Sequence, residues 1–222
     1  MPYIKLKYTK PTAKRLSVTK NRSIINKIIA WEKDKEYYDG NRVNGYGGFK
    51  YDGRWKKILP KFIKRYGLKR GSKVLDLGCK KGFLLKDLKE LVPGIKVYGV
   101  EDHVYPLKNS MPEVKKNLTK SSYHDLKFKN NYFDAVFAFH CIYRANFGDT
   151  LKTIREIMRT TKKNSYITLG AFHDKKGKEL YDQWGILSTT HLNVNDWKKV
   201  LKYLNYKGDY SFTTPESLGL KK

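Results

Sequence analysis

Residues 74–85 read VLDLGCKKGFLL: an acid near the end of a hydrophobic run, glycines at 78 and 82, and lysines at 80 and 81 between them. Asp76, Gly78 and Gly82 are the residue types a nucleotide-binding turn needs, an acid to accept from the ligand and glycines that let backbone pass close to it. Glu101 follows Gly78 at close to the roughly 20 residues that separate such a turn from a carboxylate accepting from ribose hydroxyls. A dinucleotide turn wants G-x-G-x-x-G, but those three places hold Gly78, Lys80 and Phe83, and the match fails at two of them. A phosphate loop fails as well, because no G-K-[ST] is present. Tyr123, His140 and His173 stand at or just past later strand ends, and the two histidines are candidate proton acceptors. The competing reading for each histidine is a hydrogen-bonded residue at a strand end.

These residues need a frame, and the pattern from Lys73 onward supplies one. KVLDLG, IKVYGVE, YFDAVFAF and SYITLGAF read as buried strands and FLLKDLKELV as a helix. TLKTIREIMRTT turns Leu151, Ile154, Ile157 and Met158 inward, and DWKKVLKYL does the same with Trp197, Val200, Leu201 and Leu204. Strands alternating with helices predict an α/β, Rossmann-like, doubly wound and mostly parallel sheet with helices on both faces. Ligands in such folds sit outside the carboxyl ends of the strands, where Asp76, Glu101, Tyr123 and His140 fall. Pro106 and Pro112 argue against a long helix in residues 102–122, and a short strand is expected near residues 120–123.

Residues 1–66 form a separate unit in this reading, a basic helical extension with a Tyr/Gly-rich cap, ahead of a domain over residues 67–222. Ile24, Ile25, Ile28 and Ile29 make one helical stripe, expected to dock on the rest. DGNRVNGYGGFKYDGRW is too aromatic for a linker and reads as a structured loop. A second helix carries Trp55, Ile58, Leu59, Phe62, Ile63 and Tyr66, kinked at Pro60 and stopped at Gly67.

Net charge is +26, from 47 basic and 21 acidic side chains, and residues 1–72 carry 20 of the former and 5 of the latter. Such a field attracts polyanions non-specifically. Of the basic residues 38 are Lys and 9 are Arg, whereas Arg is the planar fork favoured for phosphate and base-edge recognition. No apolar run approaches the roughly 20 residues of a membrane span, so a soluble, cytoplasmic protein is expected. Two cysteines make a disulfide framework or zinc cluster improbable, and no further set of acids suggests a metal site.

Residues 66–213 resemble the class I S-adenosylmethionine-dependent methyltransferases, and more narrowly their small-molecule, type 11-like branch. VLDLGCKKGFLL is similar to that family's first motif, YGVE to the end of its second strand, and HDLKFKNNYFDAVFAFHCIYR to the stretch before and after its fourth. REIMRTTKKNSYITLGAF is similar to its next helix and fifth strand. The departures are Lys80 for the middle glycine and Ser122 where an acid often precedes the adenine contact. The resemblance implies S-adenosylmethionine as cofactor: Asp76 for its ammonium, Gly78 and Gly82 along the methionine arm, Glu101 for the ribose and Tyr123 near the adenine. Lys80 or Lys81 is expected to point to solvent or, alternatively, to reach the methionine carboxylate or an anionic substrate. Methyl transfer from a sulfonium needs alignment, plus a base when the acceptor is a hydroxyl or protonated amine; His140 is the first candidate and His173 the second. Tyr46, Arg54 and Trp55 are candidates to close the site, Arg54 on the cofactor carboxylate, with Tyr143 also facing the acceptor; the alternative is a purely structural cap. A small polar or anionic acceptor, with O or N as target and a sugar or related metabolite as one class, comes first. RNA methylation by way of the basic N-terminal third comes second, and a non-catalytic binding protein third. Neither a [DN]-P-P-[YF] motif nor a Pro-Cys pair is present, and the corresponding loop reads FHCIYR.

Overall fold

The computed structural model describes residues 3–4 and 22–220. Lys5, Lys7, Lys14 and Lys20, part of the expected polyanion surface, lie outside them. The chain opens with α1 (Ile24–Glu32), α2 (Lys35–Tyr38) and, after a long loop and a 3-10 turn (Arg54–Lys57), α3 (Leu59–Tyr66). Then follow β1 (Lys73–Leu77), α4 (Phe83–Leu91), β2 (Lys96–Glu101), α5 (Val104–Lys108), β3 (Leu118–Lys120), β4 (Phe133–Ala138) and α6 (Phe147–Thr160). The chain continues through β5 (Thr161–Phe172), α7 (Lys175–Trp184), β6 (His191–Asn193), α8 (Val194–Tyr203) and β7 (Asp209–Thr213).

The seven strands form one sheet in the order β3-β2-β1-β4-β5-β6, with β7 also paired to β5. All six pairings are parallel. Chain direction across the sheet reverses between β1 and β4, where Asp76 pairs with Phe137. This switch point places the turn after β1 beside the turn after β4 and so brings Asp76 and His140 into one neighbourhood. The two faces carry separate cores. Leu75, Leu77 and Val136 meet Ile154, Ile157, Trp197 and Leu201 on one side. Val74, Ala135 and Phe137 meet Leu59, Phe62, Leu84 and Leu88 on the other. Helices therefore cover both faces, and each fully buried Leu or Phe contributes about 1.5–3 kcal/mol.

Several local expectations change. Pro60 lies in the first turn of α3, where a missing N–H is tolerated, so it begins a helix rather than kinking one. Leu59 and Phe62 of α3 are fully buried against the sheet, so a division at residue 66 runs between a helix and the core it helps to form. The short strand lies at Leu118–Lys120, slightly before its expected place. The stripe on α1 does not dock: Ile24, Ile25 and Ile28 are 68%, 57% and 51% exposed, joined by Trp31 at 60%. The helix is held instead by buried Ala30 and by Asn26, which donates to Asn44 Oδ1 at 2.8 Å. Periodicity defines a face but not the surface it meets. Among the described residues, no helix is long and apolar enough to cross a membrane.

Candidate active site

The turn after β1 is pinned to the end of β2. Gly78 N and Cys79 N both donate to Val100 O, at 2.8 and 3.1 Å, and Lys80 N donates to Glu101 Oε2 at 2.9 Å. Gly78 is required twice over: its φ is +73°, and a Cβ there would stand 2.4 Å from Cys141 Cβ. Gly82, at φ +78°, begins α4 where a Cβ would stand 2.7 Å from a Val114 methyl. Lys80 takes φ +53° although it is not glycine, at a cost of roughly 1–2 kcal/mol.

Asp76 is 4% exposed, and its carboxylate makes no hydrogen bond among the described residues. Burial lifts it to about 7, against the pull of Lys80 and with a further push from Glu101. Glu101 is also buried; its Oε1 accepts from Tyr123 Oη at 2.9 Å and from Asp102 N at 3.1 Å. Burial, reinforced by the adjoining Asp102, lifts Glu101 to about 7. Burial also acts on Asp102, but Glu101 and the Lys33 ammonium, 2.5 Å away, hold it well below the usual carboxylate range.

The lysines of the turn do not extend into solvent as expected. Lys81 is 8% exposed and donates to both oxygens of Asp39, at 2.8 and 2.7 Å. Tyr105 Oη joins Asp39 at 2.8 Å. Lys80 folds back so that its Nζ donates to Gly78 O at 3.1 Å.

On the β4 side, His140 has φ +53°, and its Nδ1 lies 3.3 Å from Tyr143 Oη and 3.1 Å from Thr213 Oγ1. Tyr143 is buried, and its carbonyl accepts from Thr189 N and Thr190 N at 3.1 and 3.0 Å. Cys141 is buried with Sγ donating to Leu77 O at 3.1 Å, and burial pushes its thiol up to about 12, which rules out an activated thiolate. Arg144 donates to Tyr46 Oη at 3.1 Å, with its guanidinium 5.8 Å from the Tyr37 ring. Tyr46 thus joins cap to site, packed on Tyr37, Tyr38 and Phe49 with ring centroids at 5.2, 5.6 and 4.5 Å.

The remaining candidates lie elsewhere. Trp55 packs on Phe139 at 4.7 Å, directly before His140 in the chain. Arg54 is exposed and gripped by Asp52 at 2.7–2.9 Å, so its fork is spent two residues away rather than directed to a ligand. His173 is exposed beyond β5, and no hydrogen bond or ring contact among the described residues joins it to Asp76, Glu101 or His140. Sequence reasoning missed Arg144, Lys33, Asp39 and Asp102. The FHCIYR loop offered a signal for Arg144, but Lys33–Asp102 and Asp39–Lys81 join residues 69 and 42 apart and leave none.

A cleft of about 410 Å³ opens beside the carboxylates, lined by Asp102, Ser122, Tyr123, His124, Ala145 and Asp149 among others. A smaller hollow of about 250 Å³, bounded by Lys89, Lys96 and Lys116, holds none of these groups. No group of three or more His, Cys, Asp or Glu side chains among the described residues is arranged to hold a metal.

A family described as a methyltransferase domain matches residues 75–169, the span that runs from β1 into β5 and includes Asp76, Glu101 and His140. The chain belongs to the class I S-adenosylmethionine-dependent methyltransferases. It is 30% identical to cycloartenol-C-24-methyltransferase of Arabidopsis thaliana over 57% of this chain and 43% of that protein, so it spans less than half the length of this curated relative. Among solved structures, phosphoethanolamine N-methyltransferase 2 of Haemonchus contortus, in complex with phosphomonomethylethanolamine and S-adenosylhomocysteine, aligns with TM-score 0.52 at 21% identity over 87% of this chain and 44% of that one. The YcgJ protein of Bacillus subtilis aligns with TM-score 0.51 at 17% identity over 67% of each chain. At these identities the structural likeness speaks for the fold. The residues present fit the family's cofactor, S-adenosylmethionine: a buried acid without a hydrogen-bond partner among the described residues suits its ammonium, and the cradle at Gly78 has no room for a side chain.

Proposed function

We propose that this methyltransferase acts on an oxygen or nitrogen of a small polar acceptor, with a sugar or related metabolite as the first class to try. The observation that carries this reading is the size and enclosure of the cleft. The cap closes over the strand ends through Lys33–Asp102, Asp39–Lys81 and Tyr46–Arg144, and the cleft of about 410 Å³ lies in the range of small-molecule sites. When bound, S-adenosylmethionine supplies an activated methyl group on a sulfonium. Asp76 holds the ligand ammonium, Glu101 with Tyr123 beside it accepts from the ribose hydroxyls, and Gly78 and Gly82 let the turn pass close to the methionine arm. His140 accepts the acceptor's proton, held at Nδ1 by Thr213 Oγ1. Tyr46, Tyr143 and Trp55 exclude water and orient the acceptor, an alignment that can be worth about 7–11 kcal/mol. Arg54 and His173 have no role in this proposal, since both lie exposed and away from the carboxylates.

The test is transfer of labelled methyl groups to fractionated small polar metabolites and, in parallel, to RNA. Label should enter the small-molecule fraction, and His140→Ala should lower turnover while leaving S-adenosylhomocysteine affinity nearly intact. Sequence-dependent labelling of RNA at physiological salt overturns the acceptor class. Cofactor binding without transfer to any fraction favours a binding protein on this fold.

A further inference from the structure

Cations that tie the cap to the sheet domain are neutralised in pairs: Lys33 by Asp102, Lys81 by Asp39 and Lys86 by Glu90. Lys80 and Arg144 are not. Among the described residues, no carboxylate stands at ion-pair distance from either; Lys80 Nζ donates to a carbonyl and Arg144 to a phenol, each at 3.1 Å. An ammonium has three donors and a guanidinium five, so most of their capacity is unspent although both residues are half-buried. Proteins ordinarily pair such charges or leave them in water.

The two cations also converge. Burial alone would raise the Tyr46 phenol, but Lys80 and Arg144 together bring it below its ordinary value. They oppose each other, since Arg144 disfavours the Lys80 ammonium. Lys80 comes from the turn after β1, Arg144 from the turn after β4 and Tyr46 from the cap, so three separate segments present this arrangement over the switch point. It repels itself until an anion arrives. A bound sulfonium adds a third positive charge that the cofactor's own zwitterionic arm does not offset.

We propose that Lys80, Arg144 and the Tyr46 hydroxyl form a receptor for an oxyanion, a carboxylate or phosphate, borne by the methyl acceptor. This rests on the methyltransferase reading of the same site and narrows its acceptor to an anionic one. The guanidinium fork takes two oxygens, the ammonium supplies a point charge, and the phenol donates while still accepting from Arg144. The left-handed backbone of Lys80 is strain retained to hold a side chain where glycine would leave space.

The experiment titrates inorganic phosphate, and acetate in parallel, into protein saturated with S-adenosylhomocysteine, by calorimetry at constant ionic strength. Wild type is compared with Lys80→Gly, which the positive φ accommodates, Arg144→Gln, and Lys199→Ala as an exposed control. Wild type and the control should show one saturable site, weakened by at least about tenfold in the first two variants; preference for phosphate or acetate says which oxyanion the receptor suits. Equal affinity in all four proteins overturns the proposal. A second arm measures S-adenosylhomocysteine against 5′-methylthioadenosine, which lacks the aminocarboxylate arm. Unchanged affinities in Lys80→Gly and Arg144→Gln show folded variants and support the acceptor as the anion's source. A selective loss of S-adenosylhomocysteine shows that the pair reads the cofactor's carboxylate and also overturns it. Should wild type bind neither nucleoside, the methyltransferase reading fails on its own, and phosphate titration of the unliganded proteins still decides the receptor.

Discussion

The sheet domain and the cap are built on different physics. In the sheet, Leu75, Leu77, Val136 and Phe137 are completely buried and meet helices through apolar contact on both faces. The cap has its own small aromatic cluster around Tyr37, Tyr38 and Leu187, but it reaches the sheet domain through polar tethers: Lys33–Asp102, Asp39–Lys81, Tyr51–Asp87 and Tyr46–Arg144. Apolar burial is nearly indifferent to pH and salt, whereas ion pairs and buried acids respond to both. A rigid frame thus carries a lid whose seating depends on charge, and every tether ends next to the residues proposed to hold ligand.

The largest effect should come from the frame. Phe62→Ala removes a fully buried ring that packs on Phe137, Phe139 and Tyr166, and should cost about 3–5 kcal/mol in urea unfolding. The same loss at low and high salt would sharpen the contrast; a strongly salt-dependent loss would break it.

Next comes Asp76, where frame and ligand chemistry meet. Its folded-state pKa, about 7, lies above the ordinary 3.8, so its burial penalty is absent at low pH, grows as pH rises between those values and is complete above about 7. Asp76→Asn should therefore raise the melting temperature of unliganded protein by at least about 2 °C at pH near 8 and leave it unchanged near pH 4. Ligand ammonium requires the ionised form, so S-adenosylhomocysteine affinity should fall as pH drops through about 7, approaching tenfold per unit. The Asn variant should bind about 10–100-fold more weakly at high pH. A flat wild-type pH profile in calorimetry would remove Asp76 from the site.

A smaller effect is expected at the cap. Asp39→Ala strands the buried Lys81 ammonium and should cost about 1–3 kcal/mol, seen as faster proteolysis within residues 22–53. Adding Lys81→Ala should recover part of the loss, because the stranded charge is gone. Additive losses in the double variant would mean that the pair does not seat the cap. The smallest effect is on salt response: the Michaelis constant for a small acceptor should shift far less between about 0.1 and 0.5 M salt than the steep decline expected of a polymer that neutralises many charges.

The sheet was legible because its strands read as hydrophobic runs and its helices as repeats of 3.6, signals that survive in any local window. Asp76, Glu101 and His140 were legible for a related reason, since each ends a readable strand and strand ends point to the ligand side of the sheet. Less was visible where local signals were weak: α7, with its polar repeat, and the short β6 were not anticipated, and Pro60 suggested a kink because a window does not reveal where a helix begins. Arg54 looked available to a ligand until Asp52, two residues earlier, was seen to hold it.

The amino-acid sequence by itself determined the layered α/β architecture, the turn that needs Gly78 and Gly82, and the acids at the strand ends, because each depends on residues close together in the chain. Only the tertiary structure decided that the Ile24, Ile25 and Ile28 face points outward, that Lys80 turns in toward Arg144, and that Asp39 and Lys33 fasten the cap. Those outcomes depend on pairings across tens of residues, where the energy of a charge is set by whichever groups and however much water the fold leaves around it.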